Sequence, residues 1–402
     1  MKKMIKQFLT ILLTFSVLLC NSQEILWQKT IGGNATDLAK IILKIPNDGY
    51  IIAGNSESPI SGEKEEINYG ASDLWIVRLD ETGSIIWQNT IGANQRDILT
   101  CFEATSDSGY IIGSWSESNQ SLDKSEDSNG FHDFWAIKID SEGNIQWENT
   151  IGGSNSDRLK YIEETIDGGF IAGGVSFSGA SGDRTEDLKG VADYWIVKLN
   201  SNGDVIWDKS FGGDKYDGLN YIKQTQDLGY IVAGISDSGI SGDKTSANYG
   251  KWDFWVLKLD ENGNILWQNS YGGEYDELLS GFKMTPDGGY LLGGTSYSNA
   301  SGIKDEDNVG DSDLWIIKID ENGDLQWQNT IGGNSHDSLR DIEITNEGNY
   351  IISSQSFSNA IGDKTEDNLG DYDYWIILID QNGNILWDKT IGGGFKLSLI
   401  HI

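Results

Sequence analysis

Six carboxylates return at a spacing of 60 residues: Asp37, Asp97, Asp157, Asp217, Glu277 and Asp337. Carboxylates circling one axis repel each other unless they are spread, hydrated or neutralised by cations. That makes them candidate ligand-binding residues. Two of them at a suitable separation would also meet the basic requirement of glycoside hydrolysis. The competing reading is that each acid accepts backbone N–H bonds in its own turn. A second set of oxygen ligands lies in Gly182-Asp-Arg-Thr-Glu-Asp187 and Gly362-Asp-Lys-Thr-Glu-Asp367. Clustered hard oxygens suit Ca²⁺, so Asp183, Asp187, Asp363 and Asp367 are the candidate metal residues. The pattern lacks the ordered spacing of an EF-hand loop, and Ile303 replaces the first Asp in another repeat. A solvated acidic loop is the alternative. Trp115 and Trp252 stand outside the repeating tryptophan positions and are the aromatic residues available for contact with a ligand.

Other chemistry finds little material. The three histidines, His132, His336 and His401, support no Ser-His-Asp arrangement. Cys101 has no evident His partner. The recurring acids vary so little that they suit scaffolding or multivalent binding better than catalysis, which singles out one or two positions. Nothing in the repeat marks out a cofactor pocket on an axis. A formal charge of −33, from 62 acids against 29 bases, argues against a nucleic-acid binder.

The positions above belong to one repeat. Trp27, Trp87, Trp147, Trp207, Trp267, Trp327 and Trp387 form one series; Trp75, Trp135, Trp195, Trp255, Trp315 and Trp375 form another. Asp73 and its five counterparts precede the second series by two residues, and are expected to fix the entry to a strand. Each unit holds four strand signals and no helix. Residues 217–273 show them: a weak first strand with Leu219 and Ile222, then Tyr230–Ser236, Asp253–Asp260 and Asn264–Tyr271. Short Gly-bearing turns join the first strand to the second and the third to the fourth, as tight hairpins require. The other two connections are longer. Six such units predict an all-β fold, a β-propeller of four-stranded antiparallel blades. Its first strands would line the axis, and its two tryptophan series would fill the space between blades. The fourth-strand pattern occurs a seventh time at residues 24–33, so an extra N-terminal strand is expected. This count fits either a truncated seven-bladed ring or a six-bladed ring with a spare strand shielding an edge.

The stretch Lys258-Leu-Asp-Glu-Asn-Gly-Asn-Ile-Leu-Trp267 resembles the tryptophan-docking repeat of quinoprotein-type propellers. The Gly-to-Trp spacing matches that repeat; the Asp-to-Gly spacing is one shorter. It is also similar to the Asp-box of sialidase-like propellers, with both spacings off by one. The whole unit, with Asp-Gly-Gly-Tyr at 287–290 and Asp-Leu-Trp-Ile-Ile-Lys-Ile-Asp at 313–320, most resembles secreted bacterial repeat propellers of unassigned function. The resemblance implies the fold and says little of activity.

Residues 1–22 read as a signal peptide: Lys2, Lys3 and Lys6, an apolar stretch from Phe8 to Leu19, then cleavage after Ser22. Acylation at Cys20 is the rival, disfavoured by Leu19 where a lipobox has a small residue. No later segment is apolar enough to span a membrane. The repeat domain is placed at 23–393. The tail at 394–402 departs from the pattern, with Leu397 where an acid is due, and reads as a truncated or artefactual end. The expectation is a secreted or cell-surface binding module for glycans or surface proteins, leaning away from catalysis. A carbohydrate-active enzyme or its accessory module is the alternative, and a scaffold segment of a longer protein a second.

Overall fold

A computed structural model describes residues 27–393; the expected signal peptide at 1–22, with Cys20, and the tail at 394–402 lie outside the described residues. Twenty-four strands, β1 to β24, make six sheets of four, each in sequence order and antiparallel throughout. Blade 4 is typical: β13 (Asp217–Gln224), β14 (Tyr230–Ser236), β15 (Asp253–Leu259) and β16 (Ile265–Tyr271). β14 and β15 pair from Tyr230 opposite Leu259 to Ser236 opposite Asp253, without a slip. Every residue of β15 is buried, because sheets stacked on both sides leave a middle strand no solvent face. The six blades form a β-propeller.

The inner strands are β1 (Asp37–Ile45), β5 (Asp97–Ala104), β9 (Asp157–Glu164), β13, β17 (Glu277–Met284) and β21 (Asp337–Ile344). Each shifts register once, and the extra residue is Lys40, Thr100, Lys160, Asn220, Ser280 or Arg340. A bulge leaves one residue outside the ladder and re-aims its side chain.

Neighbouring blades share a core. Between blades 3 and 4, Tyr194, Ile196 and Phe211 meet Leu219, Ile222 and Trp255. Five junctions are packed in this way. The join of blade 6 to blade 1 is different. There, among the described residues, the apolar side chains packed against Trp75, Val77 and Leu79 of blade 1 come from their own blade and from Ile31. Ile391 of blade 6 is 49% exposed, whereas its counterparts Ile91 and Ile331 are at 0%.

The expected extra N-terminal strand is corrected here: residues 27–33 form no strand, since no third strand lies beside them among the described residues to complete a ladder. Trp27 nevertheless docks where its series docks. Its ring lies against Gly83 of blade 1, as Trp87 lies against Gly143 and Trp147 against Gly203. A Cβ at Gly203 would stand 2.6 Å from the Trp147 ring, and φ there is +86°, so only glycine is tolerated.

Beneath the loop joining second and third strands, each blade buries one cation: Lys64, Lys124, Arg184, Lys244, Lys304 or Lys364. Arg184 pairs with Asp193 at 2.9 Å. Asp193 belongs to the Asp73 series, whose members take backbone N–H bonds at the entry to the third strand, as Asp253 does from Tyr249 at 2.6 Å. Burial pushes Asp73, Asp133 and Asp313 up to about 6 and Asp253 up to about 7. The same burial pushes the Lys64 and Lys124 ammonium groups down.

Candidate functional site

The six recurring acids begin the inner strands, as the repeat requires, but they face inward to the turns. Asp97, Asp157, Asp217, Glu277 and Asp337 are all 0% exposed. Asp157 accepts from the Gly153 N–H at 2.7 Å and the Ser178 hydroxyl at 2.8 Å. Glu277 uses its longer chain for the same bond to Gly273 N–H at 2.8 Å. Asp37 accepts from Gly33 at 2.6 Å and Ser58 at 2.9 Å. Each carboxylate thus ties the turn before its strand to the loop that follows the second strand. Burial pushes Asp97, Asp217, Glu277 and Asp337 above the usual carboxylate range.

The loop acids also close turns. Asp183 accepts from Gly152 N–H at 3.0 Å and Asp363 from Gly332 N–H at 3.1 Å, each linking two blades. Asp187 accepts from Ala180 N–H at 3.2 Å and Asp367 from Ala360 N–H at 3.0 Å. Among the described residues no three acidic, His or Cys side chains gather as a metal-binding group.

Trp115 and Trp252 are brought into one strip. The Arg158 guanidinium lies over the Trp115 ring at 5.6 Å, and His132 meets that ring edge-on at 4.9 Å. Tyr216 stacks on Trp252 at 5.9 Å and tilts against Phe177 at 6.1 Å. Phe177 donates its N–H to the Ser156 carbonyl at 2.9 Å, and the Ser156 hydroxyl hydrogen-bonds His132 at 2.8 Å, which joins the two aromatic groups. The strip Trp115–Arg158–Tyr216–Trp252 therefore runs across blades 2 to 4. Its elements explain the position. Trp115 ends a second strand, Arg158 begins an inner strand, and Tyr216 and Trp252 lie in turns that meet at this end, as His132 pairs with Ser156 and Ala192 with Tyr216. Trp252 is exposed; Trp115 is half-buried.

The axis carries residues that the repeat did not single out. A cavity of about 360 Å³ is lined by Glu103, Lys160, Tyr161, Tyr221, Lys223 and Glu343, among others, all from inner strands. Lys223 pairs with Glu163 at 3.0 Å and stands 4.5 Å over the Tyr161 ring. Tyr161 donates to Glu103 at 2.5 Å. Lys283 pairs with Glu343 at 2.6 Å. Burial first, then the neighbouring Cys101 and Glu103, holds the Tyr161 hydroxyl well above its usual value, and burial does the same to the Cys101 thiol. Sequence reading placed the inner strands on the axis but found nothing there that broke the repeat. The break is real, and its signal was available: Lys40, Thr100, Lys160, Asn220, Ser280 and Arg340 differ while Leu99, Leu159, Leu219, Leu279 and Leu339 do not.

No model of a known protein family matches the chain, and no curated protein matches it. Solved structures do. A protein of unknown function from Bacteroides caccae aligns with TM-score 0.41 and 12% identity over 79% of this chain and 90% of that one. A Synechocystis apocarotenoid oxygenase mutant aligns with TM-score 0.45 and 10% identity over 81% of this chain and 71% of that one. The Neurospora crassa Pan2 WD40 domain aligns with TM-score 0.41 and 12% identity over 79% and 86%. Likeness at these identities concerns the fold alone.

Proposed function

We propose that this propeller is a non-enzymatic binding module, exported to the cell surface or beyond it, that holds a glycan against the Trp115–Arg158–Tyr216–Trp252 strip. The observation that carries the reading is the strip itself. An exposed tryptophan and a half-buried one at the end of a rigid scaffold offer contact area at low entropic cost, with polar groups between them to orient a ligand. The export reading rests on residues 1–22. The tryptophan-on-glycine docking supports the resemblance to quinoprotein-type propellers as a kinship of scaffold. A surface protein is the competing ligand.

The test is a polysaccharide and glycoprotein array probed with the mature chain and with Trp252→Ala and Trp115→Ala, in millimolar Ca²⁺ and in EDTA. Glycan binding lost in either variant is expected. Binding to glycoproteins that survives removal of their sugars would transfer the reading to a protein partner. Release of reducing sugar would replace it with the carbohydrate-active enzyme. No binding at all would leave a scaffold.

A further inference from the structure

Residues 27–33, Trp-Gln-Lys-Thr-Ile-Gly-Gly, carry the fourth-strand pattern ahead of blade 1. They are clamped as a fourth strand is. Gly33 N–H donates to Asp37 at 2.6 Å, as Gly153 N–H donates to Asp157 at 2.7 Å. The Gly32 carbonyl accepts from Glu63 N–H at 3.0 Å, as the Gly152 carbonyl accepts from Asp183 N–H at 2.9 Å. Trp27 meets Tyr50 edge-on at 5.7 Å, as Trp147 meets Phe170 at 5.3 Å. What the segment lacks, among the described residues, is a third strand beside it.

Its side chains lack the partners their counterparts have. In all six blades the third-strand indole donates to the residue after the fourth-strand tryptophan. The pairs are Trp75 to Gln88, Trp135 to Glu148, Trp195 to Asp208, Trp255 to Gln268, Trp315 to Gln328 and Trp375 to Asp388, at 2.7–3.1 Å. The matching residue here is Gln28, and it is exposed. Thr30 is exposed too, whereas Thr90, Thr150, Thr330 and Thr390 are buried. Between the segment and blade 1 lies a cavity of about 370 Å³, lined by Ile31, Leu38, Ala39, Ile52, Trp75 and Val77, among others. At the next junction the counterparts Leu99, Ile112, Trp135 and Ile137 pack with Leu74 and Ile76, alternate residues of blade 1's third strand. The cavity is thus the place of two such side chains. Across the join, Ile376 of blade 6 is half-buried, while Ile76, Ile196 and Ile316 are at 0% exposure, so that face is open as well.

We infer that this cleft is a docking surface for a β-strand of a partner polypeptide, which pairs antiparallel with residues 27–33 where a third strand would stand. Its chemistry defines the strand: two aliphatic residues at alternate positions fill the cavity, and a tryptophan between them donates its indole N–H to Gln28. Main-chain bonds along the segment supply affinity, and the alternate side chains supply specificity. The occupant comes from another polypeptide because this sequence has no such strand free. Residues 394–402 contain no tryptophan. The third-strand tryptophans of the six blades are at 6% exposure or less, so a folded second copy has none to lend. The surface is separate from the aromatic strip of blades 2 to 4 and does not depend on the glycan reading.

The probe is a fluorescently labelled peptide of residues 311–322, a third strand with its acidic flanks, beside the same peptide carrying Trp315→Phe, which keeps a ring and loses the indole N–H. Both are titrated by anisotropy into the full chain and into Gln28→Leu and Ile31→Asp. The tryptophan peptide should bind the parent about three- to tenfold tighter than the phenylalanine peptide, the scale of one hydrogen bond, with that preference lost in Gln28→Leu. Ile31→Asp, which puts a charge in the cleft, should weaken both. Equal binding of the two peptides to the parent, binding that neither variant changes, or no binding at all would overturn the site. A chain ending at Gly393 that binds the peptide when the full chain does not would put residues 394–402 in the cleft in place of a partner. Self-association of the full chain in sedimentation, dissolved by the peptide, would put a second copy there and equally remove the partner.

Discussion

The third strand of each blade and the first strand follow opposite rules. In the third strand the blades are near copies: Trp135, Trp195, Trp255, Trp315 and Trp375 are all 0% exposed, and the Asp two residues earlier is buried in each case. In the first strand, the positions turned to the next sheet recur, while those turned to the axis change from blade to blade. Sameness follows packing. A buried side chain between two stacked sheets meets the same neighbours in every blade, and only a narrow range of shapes fills the space. The axis imposes no such shape, so charge and polarity are free to be distributed unevenly around it. In a repeat protein, function is to be sought where the repeat lapses.

The largest expected effect tests this directly. Trp195→Ala should cost about 3–5 kcal/mol by denaturant unfolding, because it empties a site closed on all sides. Trp252→Ala, at an exposed position, should cost about 0.5 kcal/mol or less. Equal losses would mean that Trp252 is core and not contact surface.

A second comparison sets a closed junction against the open join. Ile331→Ala removes a fully buried side chain and should cost about 2–4 kcal/mol. Ile391→Ala, its equivalent in blade 6, should cost less than about 1 kcal/mol by the same measurement. A large loss at Ile391 would show that something covers this edge in solution.

The smallest effect concerns pH. Asp73, Asp133 and Asp313 titrate at about 6 and Asp253 at about 7 in the folded chain, against about 3.9 unfolded. Between about pH 4 and 7 the folded state therefore binds more protons, and stability falls as pH rises through that window. Below it the trend reverses. Asp107, despite partial burial, is held down to about 2 by its bonds from Thr105 and Lys138, and protonating it removes stability. Melting temperatures from pH 3 to 8 should peak near the lower edge of the window. A steady rise from pH 4 to 7 would contradict the buried-carboxylate assignment.

Much of the fold was legible because strand alternation, tight glycine turns and a fixed period are local properties. The strands at Tyr230–Ser236 and Asp253–Leu259 lie within a residue of where the sequence put them. Residues 27–33 show the limit. They carry the fourth-strand pattern but form no strand, because a strand is completed by its neighbour's hydrogen bonds. The site was legible only in part. Trp115 and Trp252 stood out by lying outside their series, but nothing local said that Arg158 and Tyr216 join them. Asp157 and its counterparts advertised themselves by recurrence; the structure puts them in buried turns, which is what recurrence of a packing role looks like.

The sequence by itself determined the blades: their number among the complete repeats, their strand order, and which face of each strand is apolar. These follow from periodicity and turn chemistry, which act over a few residues. Only the tertiary structure decided which side chains meet across blades. It buried the recurring acids in turns, and set the exposed tryptophan of blade 4 in line with the half-buried one of blade 2. Those relations join residues from different repeats, through the stacking of blade on blade and a set of bulges that no local pattern specifies.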